Sequence, residues 1–188
     1  MPAAAQSRFE VLVVDDEPET CDLLAEHCRT RGLDVSVAQD GRAALTAIER
    51  NPTRFGLILT DLHLPGADGF EILKSARAAN PSCYVVMMTG YATLDTALRA
   101  VRDGAYDYLP KPFSLGQLDV VLARVRDRMS LEQENRDLLR QTSSGNSQPP
   151  TSPGGVAWRL AAIEERLTAI ETLLRSMRAE ASATDSTR

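Results

Sequence analysis

Five short apolar runs of strand length alternate along this chain with segments of helical periodicity, and this alternation restricts the possible folds more than any other feature. Between the runs, apolar residues recur at i, i+3 and i+4, as in Leu94, Ala97 and Leu98. Strands that alternate with helices form βαβ units and a parallel sheet. The sequence therefore predicts an α/β domain whose five strands lie at residues 9–14, 33–38, 55–59, 84–88 and 105–109.

The composition changes after the last helix of this domain, which is predicted to run from near Ser114 to about Arg140. Residues 141–155 are polar, contain Pro and Gly and have no periodicity, which is typical of a flexible linker. Helical periodicity then returns at 156–181 and predicts a separate C-terminal helix. The predicted organisation is a disordered N-terminus at 1–8, a domain at 9–129, an extension of its last helix at 130–140, the linker, the helix, and a disordered end at 182–188.

The charge and the apolar content argue against two kinds of partner. The net charge is −5 without a basic block, which disfavours nonspecific binding to nucleic acid or to an anionic membrane. No apolar run approaches the roughly 20 residues of a membrane helix, and the first eight residues lack the apolar region of a signal peptide. Cys21, Cys28 and Cys83 lack paired metal-ligand spacing and are predicted to be free thiols in a reducing compartment. We therefore expect a cytoplasmic protein.

Polar residues follow four of the five predicted strands. Asp15 and Asp16 follow the first strand, Asp61 the third, Thr89 the fourth and Lys111 the fifth. Each has an ordinary structural explanation when taken alone, such as a turn or a helix cap. Because ligands of open parallel sheets bind outside the carboxyl ends of the strands, the joint placement predicts that all five residues converge on one rim.

The acidic pair at this rim requires compensation. Two carboxylates about 4 Å apart repel by about 4 kcal/mol at an effective dielectric of about 20, so either they are splayed into water or a cation lies between them. Of the 21 basic residues only Lys74 and Lys111 are lysine, which indicates that the rim position requires a lysine. A compact ammonium can pair with a phosphoryl oxygen and a carboxylate where a planar guanidinium fits poorly.

This set of residues resembles the receiver domain of bacterial two-component response regulators, over roughly residues 9–129. The resemblance implies a flavodoxin-like, doubly wound, five-stranded parallel sheet in the order 2-1-3-4-5. It implies that Asp61 accepts a phosphoryl group beside Mg²⁺. Asp16 and Asp61 would bind the ion directly, Asp15 would orient a metal-bound water, and the backbone carbonyl of His63 would complete the protein's share of the ligands.

The same resemblance implies which residues contact or respond to the phosphoryl group. Lys111 would pair with it, with a cis bond to Pro112, and Thr89 would supply the switch hydroxyl. Tyr108 would be the aromatic residue that turns inward, the alternative being an ordinary strand residue of the core. The implied donor is a sensor histidine kinase or a histidine phosphotransfer protein, and the implied target is a downstream protein that the sequence does not identify.

Two ring side chains are predicted to control how long the phosphoryl group lasts. His63 and Tyr91 lie two positions after Asp61 and Thr89, and in this family such positions flank the path of the hydrolytic water. Rings there predict slow dephosphorylation. The alternative is that both rings point into solvent.

Two other functions match parts of the pattern. Haloacid dehalogenase-like phosphatases also use an aspartyl nucleophile and Mg²⁺, but they place a DxD pair on the first strand, whereas Asp15 and Asp16 are adjacent. Residues 131–140 resemble the helical linker of nitrogen-regulatory-type regulators, which bind DNA. Because five arginines balance five acids after Arg140, no basic surface supports DNA binding there. We therefore expect a receiver without a DNA-binding domain and without enzymatic activity beyond its own phosphorylation and dephosphorylation.

The predicted C-terminal helix carries an apolar heptad seam. Arg159 and Glu164 flank it where a parallel neighbour would pair them, and leucine at a with isoleucine at d favours more than two strands. The prediction is a parallel homo-oligomer, and the alternative is that the helix folds back onto its own domain. The seam consists of Val156, Leu160, Ile163, Leu167, Ile170, Leu174 and Met177.

Overall fold

The computed structural model describes residues 9–143, with side chains described through residue 139. Five strands alternate with five helices in this part of the chain. The strands are β1 (Glu10–Val14), β2 (Asp34–Ala38), β3 (Phe55–Asp61), β4 (Tyr84–Thr89) and β5 (Asp107–Pro110). The helices are α1 (Pro18–Thr30), α2 (Gly41–Arg50), α3 (Gly69–Ala79), α4 (Leu94–Asp103) and α5 (Leu115–Ser143).

The strands form one parallel sheet in the order β2-β1-β3-β4-β5, which confirms the predicted topology. Alternate residues of each strand face opposite sides of a sheet, and helices cover both sides here. Val11 and Val13 of β1 pack in the cluster that contains α1 and α5, whereas Leu12 and Val14 pack in the cluster that contains α2, α3 and α4. The sheet is therefore covered on both faces, as its nearly continuous apolar strands require.

The predicted start of the fifth strand was wrong by two residues, for a local reason. Gly104 ends α4 in the left-handed region at φ 91°, and the backbone N–H of Ala105 donates to the carbonyl of Ala100 at 2.8 Å. Ala105 thus completes the C-terminal cap of α4. The strand begins only at Asp107.

The last described helix extends slightly beyond the prediction. It continues to Ser143 and so occupies the first residues of the segment predicted as linker. The first strong helix breaker after Arg140 is Gly145, which permits this extension. The chain divides into two units, Met1–Leu139 and Arg140–Arg188.

Several predictions concern residues outside the described part of the chain. These are the disordered ends at 1–8 and 182–188, the rest of the linker to residue 155, and the helix at 156–181 with its heptad seam. They stay predictions. Within residues 9–143, no helix is both long and apolar enough to span a membrane.

The thiols and the histidine of α1 illustrate how its two sides differ. Cys21 and Cys28 are buried against the sheet and, like Cys83, are free thiols. His27 lies between α1 and α5. Its Nε2 is 2.8 Å from Oδ1 of Asp119, and its side chain is only 9% exposed.

Candidate functional site

The polar residues predicted to converge do so at the carboxyl edge of the sheet. Asp15 and Asp16 directly follow β1, and Asp61 is the last residue of β3. The strand register aligns Val14 with Thr60, which brings the two strand ends together. One carboxylate oxygen from each of the three aspartates lies within 4.8 Å of the other two. The predicted acidic cluster is therefore present.

A single ammonium joins two of these carboxylates. Nζ of Lys111 donates to Oδ2 of Asp15 and to Oδ2 of Asp61, at 2.6 Å in both cases. The backbone N–H of Lys111 donates to the carbonyl of Thr89 at 2.7 Å, so the lysine is tied to the end of β4 as well. The Lys111–Pro112 bond is cis, as predicted. Charge-assisted bonds of this length are strong, and Lys111 therefore fixes the relative positions of β1, β3 and β5.

The two adjacent acids occupy different environments, which answers how the chain tolerates them. Asp15 is fully buried, with Oδ1 accepting from the backbone N–H of Glu17 at 3.1 Å and Oδ2 bound by Lys111. Asp16 is exposed. The first alternative therefore applies to Asp16, which reaches solvent, while Lys111 pairs Asp15 with Asp61 and not with Asp16. A cation between Asp15 and Asp16 stays a prediction.

Burial and pairing shift the titration of this site in identifiable directions. Burial raises the pKa of Asp15, and the hydrogen bonds from Lys111 and Glu17 offset this only in part. Burial by itself would lower the pKa of Lys111, but its hydrogen bonds to Asp15 and Asp61 outweigh that effect and raise the pKa. The lysine is therefore held as an ammonium.

The backbone around Asp61 is fixed by close packing. Oδ1 of Asp61 accepts from the backbone N–H of His63 at 3.0 Å, while Oδ2 is bound by Lys111. A Cβ added at Gly69 would lie 2.5 Å from the carbonyl oxygen of Asp61, so only glycine lets the start of α3 approach this closely. Gly69 therefore serves the backbone geometry of the site. The roles predicted for Asp61 and for the carbonyl of His63 stay predictions.

The residues around Thr89 form a second part of the site. Thr89 is fully buried, and its Oγ1 accepts from the backbone N–H of Tyr91 at 3.1 Å. The rings of His63 and Tyr91 meet edge to face, with centroids 5.7 Å apart at 82°. Tyr91 is nevertheless 78% exposed. The two rings are thus in contact with each other although both residues reach solvent, and their effect on phosphoryl lifetime stays a prediction.

Tyr108 packs in the core and also makes a polar contact, and its predicted role as the aromatic that turns inward stays a prediction. Its side chain is half-buried and packs against the core cluster under α3 and α4. Its hydroxyl lies 2.8 Å from Oγ1 of Thr96 in the first turn of α4. Burial raises the pKa of Tyr108. Sequence reasoning missed Thr96, although its position three residues after Thr93 is a recognisable capping-box spacing.

An open groove of about 600 Å³ adjoins the acidic cluster. It extends from Asp16 past His63 and Phe70 to Thr96 and Arg99. The guanidinium of Arg99 lies 3.8 Å above the ring of Phe70. The groove therefore connects the exposed carboxylate of the cluster with α3 and α4.

Comparison with known proteins identifies the class of this domain. Residues 11–123 match the response regulator receiver domain family, and this match covers more than half of the chain. The chain belongs to that family. It therefore contains the receiver domain of a two-component response regulator, which is a phosphorylation-based switch.

Curated relatives include larger regulators. The chain is 35% identical over 147 residues to the nitrogen assimilation regulatory protein NtrX of Azorhizobium caulinodans, covering 77% of this chain and 31% of that protein. It is 38% identical over 117 residues to the response regulator protein PilR of Pseudomonas aeruginosa, covering 62% of this chain and 26% of that protein. The matched region thus spans about a third or less of these relatives.

Solved structures show the same fold. A CheY-like response regulator receiver domain protein from Methanospirillum hungatei aligns with a TM-score of 0.63 and 29% identity, covering 67% of this chain and 99% of that one. A response regulator receiver domain protein from Clostridium thermocellum aligns with a TM-score of 0.61 and 27% identity, covering 65% and 98%. The likeness covers nearly the whole of each compared chain.

Proposed function

We propose that this chain is a Mg²⁺-dependent phosphoacceptor in a two-component pathway, with Asp61 receiving the phosphoryl group. The observation that carries the proposal is the position of Lys111, whose Nζ lies 2.6 Å from both Asp15 and Asp61 beside the exposed Asp16. Three carboxylates meet here beside one ammonium, so a bound divalent cation would offset the remaining repulsion between them. The donor is a phosphohistidine of a sensor kinase or of a histidine phosphotransfer protein.

The donor set fits magnesium. Mg²⁺ prefers oxygen ligands, keeps several waters and is bound by one or two carboxylates together with phosphate oxygens. Asp16 and Asp61 would hold the ion directly, Asp15 would act through a metal-bound water, and the carbonyl of His63 would be a further ligand. When bound, the ion would neutralise negative charge on the oxygens of the transferred group.

The residues of the chain can perform the transfer itself. A carboxylate oxygen of Asp61 forms the new bond to phosphorus while the bond between phosphorus and the imidazole nitrogen of the donor breaks, and that nitrogen keeps the electron pair. Lys111 moves its hydrogen bond from Oδ2 of Asp61 to a phosphoryl oxygen. Water later cleaves the bond between phosphorus and Asp61, which restores the carboxylate and releases phosphate.

The switch follows from the contacts of Thr89. Its hydroxyl is buried and accepts from the backbone N–H of Tyr91, while its backbone carbonyl accepts from the N–H of Lys111. When this hydroxyl turns to a phosphoryl oxygen, the loop from Gly90 to Thr93 must follow, and the surface formed by α4 and β5 changes. We propose that this changed surface binds a downstream protein and that the predicted seam at 156–177 assembles several copies of the chain.

One observation favours a second output. The transcriptional regulatory protein ZraR of Escherichia coli is a relative, 36% identical over 116 residues and covering 62% of this chain. The receiver would then act within transcription control. Specific, salt-sensitive binding of duplex DNA by the full-length protein would support this second output and would argue against protein association as the main one.

The acceptor assignment is tested by intact-protein mass spectrometry after incubation with Mg²⁺ and a small phosphodonor such as acetyl phosphate. We expect one phosphoryl group on the wild-type chain and none on Asp61→Asn. Asp22→Asn is the matched control, because Asp22 is an exposed aspartate on α1. A phosphoryl group on Asp61→Asn, or none on the wild type, would contradict the proposal, and steady turnover of phosphate esters would instead favour a phosphatase.

A further inference from the structure

The hydroxyl of Thr96 at the start of α4 is part of the helix cap and also contacts Tyr108. Thr96 and Thr93 form the capping box of α4, in which Oγ1 of Thr93 accepts from the N–H of Thr96 and Oγ1 of Thr96 accepts from the N–H of Thr93, both at 3.1 Å. The same Oγ1 of Thr96 lies 2.8 Å from the hydroxyl of Tyr108. The first turn of α4 and the side chain of Tyr108 therefore share a hydrogen-bonding group.

The Thr96 hydroxyl takes part in a network of hydrogen bonds at the start of α4. A threonine hydroxyl has one proton and two acceptor lone pairs. Thr96 donates to the carbonyl of Thr93 at 3.0 Å and accepts from the N–H of Thr93. Oγ1 of Thr96 also lies 2.8 Å from the hydroxyl of Tyr108 and 3.0 Å from Oγ1 of Thr93, and in each pair either hydroxyl can be the donor. Removing either the phenol or the Thr96 hydroxyl breaks the hydrogen bond between Tyr108 and the cap.

The loop before α4 is held by hydroxyls at both ends. At its start, Oγ1 of Thr89 accepts from the N–H of Tyr91 at 3.1 Å. At its end stands the capping box of Thr93 and Thr96. If the Thr89 hydroxyl moves toward a phosphoryl group, it therefore pulls on the short segment between Thr89 and α4. The other end of this segment is the first turn of α4, where Thr96 contacts Tyr108.

The next turn of α4 is held in a different way. The guanidinium of Arg99 stacks on Phe70 of α3 at 3.8 Å, and Ala97 and Ala100 are buried. These contacts depend on buried apolar area and on cation–π stacking, and they do not involve a hydroxyl group. The first turn is thus the part of α4 that is held through hydroxyl hydrogen bonds, including the one to Tyr108.

We propose that Thr96 is a positioning residue of the phosphorylation switch. Its hydroxyl is hydrogen-bonded to the phenol of Tyr108, so that the Tyr108 side chain and the first turn of α4 move together when Asp61 is phosphorylated. This inference rests on the proposed function and deepens it, since it assigns the coupling between the acceptor site and α4 to a residue that contacts neither the metal ligands nor the phosphoryl group.

The test uses the full chain labelled with 3-fluorotyrosine and observed by ¹⁹F NMR, with Mg²⁺ and beryllofluoride as the phosphoryl analogue. The chain has four tyrosines, and Tyr108→Phe assigns the resonance of interest. In the wild type we expect the Tyr108 resonance to move on addition of the analogue. In Thr96→Val the chemical shift of Tyr108 should already differ from the wild type without beryllofluoride, and it should change less when beryllofluoride is added. Thr96→Ser should restore the wild-type chemical shift and response.

Thr93→Val is the matched control, because it removes the other capping hydroxyl, which lies 3.0 Å from Oγ1 of Thr96, but leaves the hydroxyl that Tyr108 contacts. Urea unfolding should show loss of stability in both valine variants, but only Thr96→Val should change the Tyr108 resonance. In a double-mutant cycle on the Kd for beryllofluoride, Thr96→Val and Tyr108→Phe together should have no larger effect than either alone. Additive effects, or a Tyr108 resonance unchanged in Thr96→Val, would overturn the inference.

The two proposals fail in distinguishable ways. If beryllofluoride with Mg²⁺ does not bind the wild type, or binds Asp61→Asn equally well, the proposed function is wrong. If it binds through Asp61 and Tyr108 responds without regard to Thr96, only the positioning role is wrong.

Discussion

The ammonium of Lys111 lies 2.6 Å from Oδ2 of Asp61, although the two residues are 50 positions apart in the chain. The same ammonium bonds the buried Asp15 at the same distance. This arrangement places a positive charge at the point where a phosphoryl group would arrive. Replacement of this lysine is therefore the most direct functional test after replacement of Asp61 itself.

Lys111→Arg should keep metal affinity but slow phosphorylation, because the positive charge remains while the planar guanidinium does not match the position of the ammonium. Loss of a well-placed electrostatic donor typically costs about 10²-fold in rate, and we expect an effect up to that size. Calorimetry with Mg²⁺ and mass spectrometry of the phosphorylated fraction measure the two properties.

Lys74→Arg is the matched control for that variant. Lys74 is the other lysine of the chain and is exposed on α3. It should behave as wild type. Phosphorylation of Lys111→Arg at the wild-type rate would show that the ammonium is not required.

The contact between His63 and Tyr91 leads to a prediction about phosphoryl lifetime. Replacing them with Asn and Glu removes both rings and should shorten the lifetime, because water then reaches the acyl phosphate more easily. A tenfold shortening corresponds to about 1.4 kcal/mol in the barrier. Release of phosphate from the purified phosphorylated protein gives the rate, and Tyr91→Phe, which keeps the ring, should leave it unchanged. An equal lifetime in the double variant would disprove shielding.

The raised pKa of Asp15 predicts opposite effects of pH on stability and on metal binding. A carboxyl group whose folded pKa is raised favours the fold at low pH, and this contribution is lost as pH rises through the folded pKa. Asp15→Asn should therefore cost little stability at neutral pH without metal, or increase it. Metal binding requires the ionised carboxylate, so the Mg²⁺ affinity of the wild type should decline as pH falls through the raised pKa.

Thermal unfolding with and without Mg²⁺ tests both parts. A ligand at a hundred times its Kd stabilises the folded state by about 2.7 kcal/mol, and the wild type should show a gain of this order at neutral pH. Asp15→Asn should show a smaller one. An equal gain in both proteins would mean that Asp15 does not contribute to the metal site.

The three thiols should be protected in the folded domain. Burial raises the pKa of Cys28 to about 11 and that of Cys83 to about 12. Since the thiolate is the reactive form, labelling of Cys28 and Cys83 at pH 8 should be more than about a hundredfold slower than for a free cysteine. Ellman's reagent with and without urea measures this, and rapid labelling of the native protein would show that the regions around these thiols open readily.

The predicted heptad seam gives a prediction about assembly. A chain that ends at Arg140 should lose the higher-order species that the full-length protein forms, because the apolar stripe at 156–177 is then missing. Full-length Leu167→Glu should dissociate in the same way while keeping its phosphorylation. Analytical ultracentrifugation distinguishes the species, and a monomeric full-length protein at tens of micromolar would refute the assembly.

The sequence by itself determined the fold class, the strand order implied by the family resemblance and the rim on which the site lies. Apolar periodicity is a local property, and parallel strands bring their carboxyl ends to one edge whatever the loops do. Asp61, Thr89 and Lys111 could therefore be placed together before any coordinates were known. The start of β5 could not, because the cap of α4 uses Ala105.

Only the tertiary structure decided which side chains bond to each other across that framework. It separates Asp15 from Asp16 into buried and exposed positions, joins His27 to Asp119 between two helices, and connects Tyr108 with Thr96. Such pairs depend on side-chain rotamers and on the packing of elements distant in sequence, and neither leaves a periodic pattern in the chain.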